Sequence, residues 1–106
     1  MVFLSFNVFA DANNEIEHLL DYVASTSCKY ERNGDIYSGQ EAVEHIKKKY
    51  DYFFDDIETT EDFIKYSATK SKMSGKYYKI HCTNQPAVKS STWLFAELGR
   101  FRASAK

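Results

Sequence analysis

Asn33-Gly34 lies between two runs of residues that favour extended backbone, Cys28-Lys-Tyr-Glu-Arg32 and Asp35-Ile-Tyr37. A two-residue loop of type I′ needs positive φ at both central positions, which Asn and Gly adopt at least steric cost, so the pair dictates a β-hairpin. Loop length then sets the register, placing Arg32 opposite Asp35 and Tyr30 opposite Tyr37. Because side chains alternate along a strand, Cys28, Tyr30 and Tyr37 share one face. An aromatic sheet face must be covered, and the remaining segments read mostly as helices able to cover it.

Ile16, Leu19, Leu20 and Val23 recur at i, i+3, i+4 and i+7, which predicts a helix over 13–25 capped by Asn13 or Asn14. Ser38-x-x-Glu41 is a capping box and opens a second helix. Ala42, Val43, Ile46, Tyr50, Phe53, Phe54 and Ile57 give it an apolar stripe of about four turns. Thr59-x-x-Asp62 repeats the start signal more loosely before Phe63, Ile64 and Ala68. Lys76 to Cys82 alternates Tyr78, Ile80 and Cys82 against Tyr77, Lys79 and His81, the pattern of a half-buried strand. Pro86 marks a loop, and Ser90 or Ser91 caps a last helix lined by Leu94, Leu98 and Phe101 beside Trp93. The fold class is therefore α+β: about four helices on a small antiparallel sheet made of the hairpin 28–37 and the strand 76–82.

The chain has 106 residues, enough for one core and one domain. Its 14 basic and 15 acidic residues nearly cancel, which argues against nucleic acid as a partner. Residues 1–12 read as a truncated secretory leader: an apolar run from Val2 to Ala10, then Ala10-Asp11-Ala12 as an A-x-A cleavage site, with no basic residue before Lys29. The same run alternates well enough to be a strand. It is too short for a transmembrane segment. The domain is then 13–106, periplasmic or secreted.

Cys28 and Cys82 each fall on the aromatic face of a predicted strand, and adjacent strands would bring them to disulfide distance. Two independent buried thiols are the alternative. Their spacing is wrong for a CxxC redox or zinc motif. With the leader-like start, the disulfide is the favoured reading.

Cys28-x-x-x-Arg32-Asn33-Gly34, Glu41-Ala42-x-x-His45-x-x-Lys48 and Glu61-Asp62-Phe63-Ile64 then occur in order, followed by Ser71-x-x-Ser74-Gly75-Lys76-x-Tyr78, Cys82 and Trp93-Leu94. In this order the motifs resemble the YfeK-like family of small exported proteobacterial proteins, over roughly residues 15–102. Lys72 stands where a second serine is expected, and Tyr77 where a proline is usual. The resemblance implies an exported single domain of unknown function and brings no catalytic assignment.

Arg32, His45, Lys48, Ser71, Ser74, Lys76 and Tyr78 form the candidate binding set. Lys70, Lys72 and Lys79 add positive charge, so the region suits an anion held by backbone and lysines. The plainer reading is that Ser71 and Ser74 satisfy a turn, Gly75 supplies its φ freedom, and the lysines are a solvated face. Glu41 and His45 have ligand spacing, but Glu41 has a capping role and no third ligand is visible, so no metal or other cofactor is expected. His18 and His81 read as surface or edge residues, and Lys47 to Lys49 as the wet side of a helix. Tyr50, Phe53, Phe54 and Phe63 are expected in the core, leaving Tyr52, Tyr66 and Tyr77 for recognition. The functional expectation is a non-catalytic binding or inhibitor-type module acting on an envelope protein or an anionic ligand. The alternative is a small envelope hydrolase using His45 with Ser74 or a bound water. Oligomeric state is not encoded in any of these features.

Overall fold

A computed structural model describes residues 8–104 of the chain. In order, the elements are α1 (Val8–Ser25), β1 (Lys29–Arg32), β2 (Asp35–Tyr37), α2 (Gly39–Tyr52), a short 3-10 turn (Phe54–Asp56), α3 (Thr60–Ser67), β3 (Lys79–His81), β4 (Val88–Lys89) and α4 (Ser90–Ser104). The four strands make one antiparallel sheet in the order β2-β1-β3-β4. The α+β architecture expected from the sequence is the one observed.

The hairpin forms as the turn dictates. Asn33 and Gly34 have φ of 53° and 84°, and Arg32 and Tyr30 pair with Asp35 and Tyr37. Tyr30 also pairs with Ile80 on β3, so the buried side chains of β1 and β3 share the face against the helices. Ile16, Leu19 and Val23 from α1, Ala42, Val43 and Ile46 from α2, Phe63 and Ile64 from α3, and Leu94 and Leu98 from α4 complete the core. Within it, the Tyr30 hydroxyl and Ser90 Oγ share a 2.5 Å hydrogen bond, and burial pushes the Tyr30 phenol above its ordinary range.

Lys29 pairs with His81, so Cys28 and Cys82 stand opposite each other one position further along, on the core face. They are joined as a disulfide across a Cα–Cα distance of 4.4 Å, closing a sequence separation of 54 residues. A closed loop of that length restricts the unfolded chain by about 4 kcal/mol in the chain-entropy model.

Both predicted capping boxes are present: Ser38 with Glu41 on α2, and Thr59 with Asp62 on α3. The start of α2 also needs Gly39, because a Cβ there would come within 2.2 Å of the Val23 carbonyl oxygen.

Four details depart from the sequence reading. Helix α1 already includes Val8–Ala12, upstream of Asn13, since this stretch contains no glycine or proline to stop the ladder. A strand through these residues is thus not found, while Met1 to Asn7 lie outside the described residues. Helix α2 ends at Tyr52, before the apolar stripe does, and the chain tightens to a 3-10 turn. Asp55 and Asp56 follow there, and carboxylates are unfavourable against the negative end of a helix. Phe54 is consequently 60% exposed, not core, and Phe53 and Tyr50 are half-buried. Finally, β4 pairs with β3 although Val88-Lys89 is too short to show a period.

Candidate functional site

Three segments converge beside the hairpin turn: the end of β1 with its turn, one face of α2, and the loop from Thr69 to Tyr78. On α2, His45, Lys48 and Lys49 fall at i, i+3 and i+4 and so share a helix face. Together the segments enclose a concavity of about 370 Å³ lined by Arg32, Asn33, His45, Lys48, Lys49, Ser71, Lys72, Met73 and Tyr78. Five of these nine are basic residue types and none is a carboxylate. That composition is notable in a chain whose acids outnumber its lysines and arginines by 15 to 14.

The loop wall is built, not slack. Tyr78 donates its amide to the Thr69 carbonyl, Ser71 to that of Lys76, and Gly75 to that of Ser71. Lys70 and Tyr77 bridge between the first two of these bonds, giving a small antiparallel ladder with Gly75 at φ 73°. Asn33 ties this ladder to the hairpin turn. Its carboxamide donates to Ser71 Oγ at 3.3 Å and accepts from Ser74 Oγ at 2.5 Å. Ser74 Oγ also accepts the Lys76 amide at 3.1 Å. The serine hydroxyls and Gly75 thus do what the plainer sequence reading asked of them: they shape the loop.

Of the predicted set, Arg32, His45, Lys48, Ser71 and Tyr78 line the concavity. Ser74 and Lys76 build its wall instead, Ser74 through its hydroxyl and Lys76 through its backbone. Asn33, Lys49, Lys72 and Met73 complete the lining; the sequence offered Lys72 only for its charge and did not single out the other three for it. Lys49 was detectable, since it stands one turn after His45. Lys47 points elsewhere, lining a groove between α1 and α2 with Glu17 and Asp21, so the lysine triplet divides between two surfaces.

The cations are held in different ways. Lys49 Nζ donates to the Lys70 carbonyl at 2.8 Å and to the buried Tyr78 hydroxyl at 3.1 Å. Arg32 reaches the Tyr37 hydroxyl at 3.4 Å and lies over that ring. His45 packs against the edge of the same ring, with centroids 5.0 Å apart. Its imidazole is held below the ordinary histidine range, first by partial burial and then by the positive charges of Arg32 and Lys48, with Glu41 pulling the other way. Glu41 itself is occupied in the capping box, accepting the Ser38 amide at 2.9 Å.

The other histidines lie elsewhere. His18 pairs with Glu97 at 2.7 Å and stacks on Phe101, and His81 pairs with Glu31 at 2.7 Å. Among the described residues, no three His, Cys, Asp or Glu side chains gather to hold a metal ion, and no helix is long and apolar enough to cross a membrane.

Chemically, the concavity can neutralise an oxyanion with Arg32 and the lysines, supplement it with the Ser71 and Tyr78 hydroxyl region, and respond through His45. Catalysis by Ser74 has no such basis, because its proton is engaged with Asn33. Comparison with known proteins places the chain in a family: residues 10–102 match the model described as a family of unknown function (DUF5329), and the chain belongs to that family. No curated protein and no solved structure matches it.

Proposed function

We propose that this member of a family of unknown function is a non-catalytic binding module that holds an anionic group of its partner in the concavity between the hairpin turn, α2 and the Thr69–Tyr78 loop. One observation carries the reading: Arg32, His45, Lys48, Lys49 and Lys72 meet around one cavity from which every carboxylate is absent. The module works in an oxidising compartment outside the cytoplasm, periplasmic or secreted, and acts on a component of the cell envelope. The Cys28–Cys82 disulfide and the leader-like Val2–Ala12 support this address, as does the resemblance to exported YfeK-like proteins. An inhibitor that docks an acidic loop of an enzyme here is one concrete form of the same chemistry. A hydrolytic role for His45 with Ser74 or a bound water has less behind it, since the Ser74 hydroxyl is a structural donor.

The test is a titration of the full, disulfide-bonded chain with inorganic phosphate, followed through backbone amide chemical shifts. Perturbations are expected at Arg32, Asn33, His45, Lys48 and Ser71. The double substitution Arg32→Ser with Lys48→Ser is expected to weaken binding at least about tenfold, the loss of charge-assisted contacts being worth more than the ~1.4 kcal/mol of one decade. Shifts scattered over the surface, or a double variant that binds as well, would show that the cations are a solvated face.

A further inference from the structure

Resting on that reading, we infer that the loop from Lys70 to Lys76 is a docking tip for an anionic phospholipid surface, with Met73 entering the interface while the adjoining concavity takes a lipid phosphate.

Met73 is 98% exposed, more than any other large apolar side chain described. The ladder between Thr69 and Tyr78 and the Asn33 clamp fix the loop backbone and keep Met73 at its tip. An exposed methionine there contributes most where an apolar phase receives it.

Its neighbours fit a bilayer interface. Lys70, Lys72 and Lys76 flank the tip within three residues. Near the Lys72 side chain, Tyr52 is 75% exposed and packs edge-on to Phe53, which in turn packs on Tyr66. Lys72 Nζ lies 4.9 Å from the Phe53 ring and 5.5 Å from that of Tyr52. Tyrosine and lysine side chains, each with an apolar body and a polar end, are the residues suited to the headgroup layer. Charge selects the occupant. No Asp or Glu occurs between Asp62 and Glu97, a span that carries Lys65, Lys70, Lys72, Lys76, Lys79 and Lys89. A lysine-bearing segment without carboxylates, with Lys70, Lys72 and Lys76 flanking the apolar tip, complements an anionic leaflet. Because Lys72 and Met73 also line the concavity, a phosphate held there and an inserted tip belong to one surface.

Sedimentation of the full chain with vesicles tests this, using equimolar phosphatidylglycerol and phosphatidylcholine against phosphatidylcholine alone. Binding is expected only with the anionic vesicles, and is expected to fall with added salt. Met73→Asp is expected to lower the partition about tenfold or more, Met73→Leu to retain it, and Lys72→Glu with Lys76→Glu to abolish it. Soluble glycerol phosphate is expected to bind the parent chain as inorganic phosphate does. Phosphate binding without vesicle binding, or vesicle binding indifferent to Met73, overturns the docking tip and leaves the anion site standing. Loss of both overturns the anion site as well. Self-association without lipid that Met73→Asp removes overturns the lipid in favour of a second copy of this chain.

Discussion

Asn33 has positive φ in the hairpin turn and, through its carboxamide, holds Ser71 and Ser74 of the neighbouring loop. The first role is visible in the dipeptide Asn-Gly. The second is not, because no local pattern says which distant hydroxyls will arrive beside a turn. The roles separate by substitution. Asn33→Gly keeps the turn and removes the clamp, and is expected to cost about 1 kcal/mol, with faster hydrogen exchange at the Ser71 and Gly75 amides. Asn33→Ala is expected to cost about 1 kcal/mol more, since alanine is strained in left-handed backbone. Unchanged protection of the Ser71 and Gly75 amides in Asn33→Gly would show that the ladder stands without the clamp. The aromatic residues give the complementary lesson. Phe63 is core and Tyr52 is exposed, as periodicity indicates, whereas Phe54 leaves the core because α2 stops before it.

At the scale of elements, both capping boxes were legible, because Ser38-x-x-Glu41 and Thr59-x-x-Asp62 satisfy helix donors within four residues of chain. So was the disulfide, once the hairpin face was known. The upstream start of α1, the short β4 and the 3-10 turn were not, since each depends on weak local preference settled by packing. Arg102 is a further case. From α4 it reaches Glu15 on α1 at 2.8 and 3.0 Å and Glu61 on α3 at 2.9 and 3.2 Å. Glu15 is held below its usual pKa first by the Arg102 hydrogen bonds, and Glu61 likewise, each against the opposing effect of burial. Carboxylates depressed in the folded state contribute stability that is fully present above their unfolded pKa and lost as pH falls through the folded one. With Arg102 and Glu61 substantially exposed, solvent screening keeps the contribution small. Arg102→Ala is therefore expected to lower stability by about 1 kcal/mol at neutral pH. The difference from the parent protein is expected to shrink as pH drops below the glutamate range, measured by urea unfolding at a series of pH values. A difference that persists unchanged in acid would assign the effect to packing of the arginine stem instead.

For the whole molecule, the net charge of −1 conceals an uneven distribution. Fourteen of the 15 acids precede Phe63 and only Glu97 follows Ala96, so the segment between has none, and the fold brings part of it against Arg32 and the basic face of α2. A balanced composition argued against nucleic acid, and it equally obscured the local cationic site, because summed charge carries no information about position. Five of the seven residues singled out from sequence line the concavity, and the remaining two form the wall that shapes it. The central claim is that this concavity binds an anion, and His45 reports on it from inside. Burial, Arg32 and Lys48 hold its imidazole low when no anion is present. A bound dianion must favour the protonated ring, so the pKa of His45 rises on binding, and anion affinity rises as pH falls. The measurement is an NMR titration of the histidine ring protons against pH, with and without saturating sulfate, which remains a dianion throughout. The reference titration is made in sodium chloride of the same ionic strength, which separates binding from screening. The midpoint of His45 is expected to lie below the ordinary histidine value in chloride and to move upward in sulfate. A His45 midpoint that is the same in sulfate as in chloride contradicts the site.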